Sequence, residues 1–92
     1  MLEVQLYVGN LPHSTTGREL RSLFTRAGDV TAVDVMTNRL TGGSLGYAYV
    51  TMSAQSEADK AVSLFNAYFL GEHSLKVTLV RTRGQLRFRA AG

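Results

Sequence analysis

Four stretches of this chain alternate apolar and polar residues with a period of two, and two further stretches repeat with a period near 3.6. The first alternating run is Val4-Gln5-Leu6-Tyr7-Val8, which stops at Gly9-Asn10; the others cover residues 30–36, 45–52 and 75–80. A period of two sends successive side chains to opposite faces, so each run predicts a strand with one apolar face. Between the first and second runs, Leu20, Leu23, Phe24 and Ala27 recur at i, i+3, i+4 and i+7, the stripe of an amphipathic helix. Thr16-Gly17-Arg18-Glu19 precedes it with the spacing of a capping box, and Gly28 is placed to end it in a left-handed cap. A second helix is predicted over residues 55–66, with Ala58, Ala61, Val62 and Phe65 facing inward.

The order β-α-β-β-α-β follows, and it restricts the topology. Right-handed crossovers place both helices on the same side of one sheet. The expected fold class is therefore α+β: a ferredoxin-like arrangement with a four-stranded antiparallel sheet and two helices on one face. Alternation then sorts the strand residues. Leu6, Val8, Val33, Val35, Ala48, Val50, Met52, Leu75, Val77 and Leu79 are expected under the helices. Gln5, Tyr7, Asp34, Met36, Tyr47, Tyr49, Thr51, Lys76 and Thr78 are expected on the open face. Three tyrosines on a water-facing sheet are more than strand propensity alone accounts for.

Composition narrows the class. Ninety-two residues make one domain, and 45% hydrophobic against 18% charged residues is the balance of a globular chain. With no cysteine, disulfides and thiolate metal sites are excluded. No apolar run approaches the roughly 20 residues of a membrane helix, and the first residues, Met1-Leu2-Glu3-Val4, lack a signal core. The default expectation is a cytoplasmic protein without membrane association. Within residues 1–80, six basic side chains stand against seven acidic ones, while Arg81, Arg83, Arg87 and Arg89 follow with no acid. The positive excess thus sits in a basic segment, residues 81–92, behind a domain of residues 1–80.

The first and third strands carry the functional signal. Leu6-Tyr7-Val8-Gly9-Asn10-Leu11 resembles the hexamer of the RNA-recognition-motif family, and Leu45-Gly46-Tyr47-Ala48-Tyr49-Val50-Thr51-Met52 resembles its octamer. The resemblance in element order runs from about Gln5 to Val80, and in length the chain is similar to the small single-domain RNA-binding proteins of bacteria. Starting at Met1 and ending soon after the fourth strand, it reads as a complete unit, and a piece excised from a larger protein would read almost the same. The resemblance implies a ligand of single-stranded RNA, with single-stranded DNA as a second candidate, held by base stacking on Tyr7, Tyr47 and Tyr49. It also implies roles for Asn10 in the hexamer, Arg39 in the loop between the second and third strands, and Lys76 and Thr78 on the fourth strand. Arg81 and Arg83 are expected to add phosphate contacts. Two positions depart from the octamer pattern: Leu45 stands where a phosphate-binding Lys or Arg is usual, and Met52 where an aromatic is usual.

Catalysis finds no support. Ser14, Thr15 and Thr16 have no activating base nearby in sequence, no carboxylate pair shares a face, and no phosphate-cradling loop opens a helix. His13 and His73 lack neighbours at metal-ligand spacing and are expected to be solvated loop residues. No cofactor is expected. Against RNA binding stands a domain of the same family that holds a protein partner or a weak dimer, a reading with which Leu45 is compatible.

Overall fold

In the computed structural model, which describes residues 3–82, the period-two runs become strands and the 3.6-period runs become helices. The order is β1 (Val4–Gly9), α1 (Gly17–Phe24), β2 (Val30–Thr37), β3 (Ser44–Met52), α2 (Gln55–Phe65), β4 (Phe69–Leu70), β5 (His73–Ser74) and β6 (Lys76–Thr82). β2, β3, β1 and β6 form a four-stranded sheet in that spatial order, and each neighbouring pair is antiparallel. The predicted fold class is the observed one, with β6 as the fourth strand of the sequence pattern.

The sheet's inner face meets both helices. Leu6 pairs with Val50, Val8 with Ala48 and Val8 with Val77, and all five are fully or almost fully buried. Val30 and Val33 stand three apart and still share this face because Thr31 is an extra residue between the Val30–Met52 and Ala32–Thr51 pairs. Above the sheet, Phe24 of α1 and Phe65 of α2 pack with ring centroids 4.8 Å apart and tilted by 47°, joining the two helices. Leu20, Leu23, Ala58 and Ala61 complete the contact layer, and Val62 packs at its edge.

The capping box forms as its spacing predicts. Thr16 Oγ1 accepts from the Glu19 amide at 3.2 Å, and Glu19 Oε1 accepts from the Thr16 amide at 3.0 Å. The other end of α1 differs from expectation. The helix stops at Phe24, and two tighter turns follow, Arg26 N–H to Leu23 C=O and Ala27 N–H to Phe24 C=O. Gly28 lies beyond these turns and does not form the left-handed cap; it supplies a φ of 157° that other residues rarely adopt, and space, since a β-carbon there would sit 2.5 Å from Glu57 Cγ. Glu57 uses that approach to accept from Ser53 Oγ at 2.5 Å and from the Asp29 amide at 3.3 Å, tying the start of β2 to the start of α2.

Three further expectations change. Leu79 pairs with the buried Leu6 on the core face, yet it is 47% exposed, because β6 is an edge strand and the helices do not cover its far half. Thr51, expected on the open face, is buried at 8% exposure between its neighbours Gln5 and Ala32. The segment read as a plain turn at Gly71 is a small hairpin, β4 against β5, with Gly71 at φ of 65°.

Between α2 and this hairpin, Ala67 adopts φ of 71°. Its amide donates to the Leu75 carbonyl at 2.7 Å while Asn66 Oδ1 accepts from the Val77 amide at 3.1 Å, so the surrounding bonds impose the conformation. A non-glycine residue there costs about 1–2 kcal/mol, which a glycine removes at an entropic cost of about 0.5–1 kcal/mol in the unfolded chain. Ala67→Gly is therefore expected to stabilise the domain by roughly 0.5 kcal/mol in urea unfolding at unchanged m value. A lower midpoint would show that the strain at Ala67 is not stored there.

Candidate nucleic-acid interface

Pairing across the four strands arranges the open face in transverse rows. One row runs Asp34, Tyr49, Tyr7, Thr78 from β2 to β6. The next, toward the β2–β3 loop, contains Tyr47, Gly9 and Lys76. On the other side lie Ala32, Thr51, Gln5 and the register position of Arg81. Central position follows from topology: β1 and β3, which carry the tyrosines, are the two inner strands.

The tyrosine rings form a triangle. Tyr7 and Tyr47 are 5.9 Å apart between centroids and close to parallel at 28°; Tyr7 and Tyr49 are 6.0 Å apart, and Tyr47 and Tyr49 are 6.1 Å apart, both edge to face. All three are half-buried, so they keep ring surface available while their bases are fixed by the sheet. Gly9 makes the near-parallel pair possible. It lies two residues beyond Tyr7 on the same face and opposite Tyr47, and a β-carbon there would sit 2.7 Å from both Cε2 and the hydroxyl oxygen of Tyr7. The Tyr7 ring occupies the space that a side chain at position 9 would fill.

Gly46 contributes differently. Its φ of 99° belongs to glycine, and β3 has extra residues there relative to β2, because Val35 pairs with Ala48 but Thr37 pairs with Ser44. The bend is held by the Leu11 amide donating to the Gly46 carbonyl at 2.9 Å, and by Ser44 Oγ accepting from the Gly46 amide at 2.9 Å. Tyr47 leaves this bend onto the open face.

The other sequence-predicted residues fall into three groups. Lys76 and Thr78 are exposed on β6 beside Gly9 and Tyr7, as the alternation requires. Asn10 stands at the end of β1 with φ of 61°, and its side-chain amide donates to the Ser74 carbonyl at 2.9 Å, so it fastens the loop to β5. Arg39 is exposed in the β2–β3 loop, where Asn38 Oδ1 accepts from the Leu40 and Thr41 amides at 2.8 and 3.2 Å. Arg81 belongs to the backbone of β6, and Arg83 lies outside the described residues, as do Arg87 and Arg89.

Of the two histidines, His13 is exposed in its loop as expected, and His73 is more enclosed than expected. His73 is half-buried with Nδ1 3.1 Å from the Asn10 carbonyl oxygen, and His13 lies with its ring over Gly43 while its own carbonyl accepts from the Ser44 amide at 3.0 Å. Both contacts join loops far apart in sequence, where spacing gives no signal. The alternation that found the tyrosines also put Asp34 on the open face, and the register makes it the partner of Tyr49; the close approach of the Tyr7 ring to Gly9 left no signal in the sequence.

A two-helix, four-stranded antiparallel fold with three rings clustered on its uncovered face defines a sheet-surface binding domain of the ferredoxin-like class. Residues 6–76 match the family described as the RNA recognition motif. Among curated proteins, the chain is 43% identical over 75 residues to the 29 kDa ribonucleoprotein A, chloroplastic, of Nicotiana sylvestris, covering 82% of this chain and 28% of that protein. It is 42% identical over 82 residues to a 28 kDa chloroplastic ribonucleoprotein of Spinacia oleracea, covering 89% of this chain and 35% of that one. Among solved structures, the Drosophila melanogaster Sex-lethal RNA recognition domains 1 and 2 superpose with a TM-score of 0.81 at 32% identity, over 85% of this chain and 50% of theirs. The chain belongs to the RNA recognition motif family. It spans about a third or less of the length of most of these curated relatives. The expectation of a cytoplasmic protein is overturned by these relatives, which are chloroplastic; the composition of a folded domain carries no address, and a default had filled that gap.

Placing a methyl group at Gly9 tests the ring geometry directly. Gly9→Ala is expected to displace the Tyr7 ring and remove the Tyr7–Tyr47 ring cross-peaks in a nuclear Overhauser spectrum, with the backbone amide pattern of the sheet retained. Unchanged ring contacts would mean that Tyr7 does not depend on the space above Gly9.

Proposed function

We propose that this chain binds single-stranded RNA by stacking bases on Tyr7, Tyr47 and Tyr49, with the arginines that follow Val80 supplying phosphate contacts. The triangle of rings carries the reading. Its members sit about 6 Å apart on a rigid sheet, too far apart for one continuous base stack and suited to nucleotides splayed onto separate rings. Relatives support it: a Sex-lethal protein–RNA complex superposes with a TM-score of 0.80 at 32% identity, and the two curated relatives described above are named as ribonucleoproteins. Nothing in the arrangement calls for bond making or breaking, so the chain is read as a binding module and not an enzyme.

Stacking and charge divide the work. On the open face the positive charge of Lys76 on β6 is offset by an acid, Asp34, on β2, so the face itself attracts phosphate weakly. The basic segment compensates, and its first arginine, Arg81, is already part of β6 beside Gln5. Stacking is worth about 1–3 kcal/mol per base. Tyr47→Ala and Tyr49→Ala are each expected to weaken binding of a short single-stranded RNA by that amount in fluorescence anisotropy, with the thermal midpoint little changed because the side chains stand on the open face. Full affinity in the folded double variant would exclude stacking and favour a protein-binding role for the sheet.

Removing residues 83–92 takes away Arg83, Arg87 and Arg89 while leaving β6 whole. Each phosphate contact contributes about −0.7 to the slope of log K against log salt for single strands. The truncated chain is expected to bind more weakly at low salt with a slope shallower by about two. An unchanged slope would remove these arginines from the interface.

A further inference from the structure

We propose that Asp34 reads the edge of the base stacked on Tyr49 and selects guanine there, an inference that rests on the stacking function above. Asp34 is the direct antiparallel partner of Tyr49, and side chains so paired have β-carbons about 4.5–5.5 Å apart. A base lying on the Tyr49 ring therefore extends an edge over its neighbour on β2. Of the residues that β2 presents to that side, Ala32, Asp34 and Met36, only Asp34 has a hydrogen-bonding side chain. It is exposed and, among the described residues, its side chain makes no hydrogen bond or ion pair, so its two oxygens are available to a ligand.

A carboxylate only accepts hydrogen bonds. Guanine matches it, because N1–H and the N2 amino group stand side by side on the Watson–Crick edge and reach both oxygens, in a charge-assisted pair. Adenine and cytosine each set one amino donor beside a ring nitrogen that repels the carboxylate. Uracil sets its single N3–H between two carbonyl oxygens. The same charge also orients the strand: phosphates are driven away from the β2 edge, which leaves a base edge, not the backbone, facing Asp34. An acid on an RNA-binding face thus becomes a reader of bases.

The test uses the full chain and four eight-nucleotide RNA probes: all uridine, and the same with one central G, A or C, measured by fluorescence anisotropy. The G probe is expected to bind about tenfold tighter than the A and C probes, within the range for a bidentate contact. Asp34→Asn and Asp34→Ala are expected to bring the G, A and C probes within about threefold of one another and to raise affinity for the all-uridine probe, with circular dichroism melts confirming the fold. A wild-type chain without guanine preference, or variants that keep it, would overturn the assignment of Asp34. Tyr49→Ala separates the two levels. If it weakens all four probes while Asp34→Asn leaves the preference intact, stacking stands and the base reading fails; if it weakens none, the stacking reading fails and takes this inference with it.

Discussion

The pairing of β1 with β3 is the constraint on which both stability and the candidate site depend. One register sets Leu6 against Val50 under the helices and Tyr7 against Tyr49 on the opposite, open face. Because side chains alternate strictly, a slip of one residue would carry the valines and leucines into water and the tyrosines into the core. The apolar burial that fixes the register on one face therefore fixes the platform on the other. Phe24 and Phe65 hold the helices over that inner face, and the outer face is rigid without contacts of its own having to make it so.

Where the open face needs more than alternation, glycine supplies it by two different means. Gly9 gives volume: its missing side chain is the space in which the Tyr7 ring lies close to Tyr47. Gly46 gives backbone freedom: a left-handed conformation lets β3 take extra residues against β2 and deliver Tyr47 beyond the bend. Asn10 and Asn38 do the corresponding work in the loops, turning the chain and using their amide groups on backbone partners. The result is a surface with fixed rings and few charges, so geometry more than electrostatic attraction sets what fits it.

Much of this was legible in the sequence, for a physical reason. Element order, the inward set and the tyrosine face all depend on periods of two and 3.6, which local side-chain direction enforces. Features that depend on distant or brief events were not legible. The β4–β5 hairpin has only two residues in each strand, too few to show a period. The short α1 was hidden because Ala27 continues the helical spacing from a turn that follows the helix. Leu79 obeys the alternation and still meets solvent, since a pattern shows which side a residue faces but not whether anything covers it. The contacts of His13 and His73 join loops that only the finished fold brings together.

The extra residue at Val80 has a consequence of the kind usually associated with reading frames. Strict alternation along β6 would assign Arg81 to the same side as Val77 and Leu79. Because Leu6 pairs with Leu79 but Gln5 pairs with Arg81, one residue is skipped in the count, and the parity of the strand changes after it. From that point odd-numbered positions take the register that even-numbered ones held. Insertions or deletions of a single residue between Leu79 and Arg81 would thus act as a toggle, reassigning the end of β6 from one side of the domain to the other without altering any residue upstream.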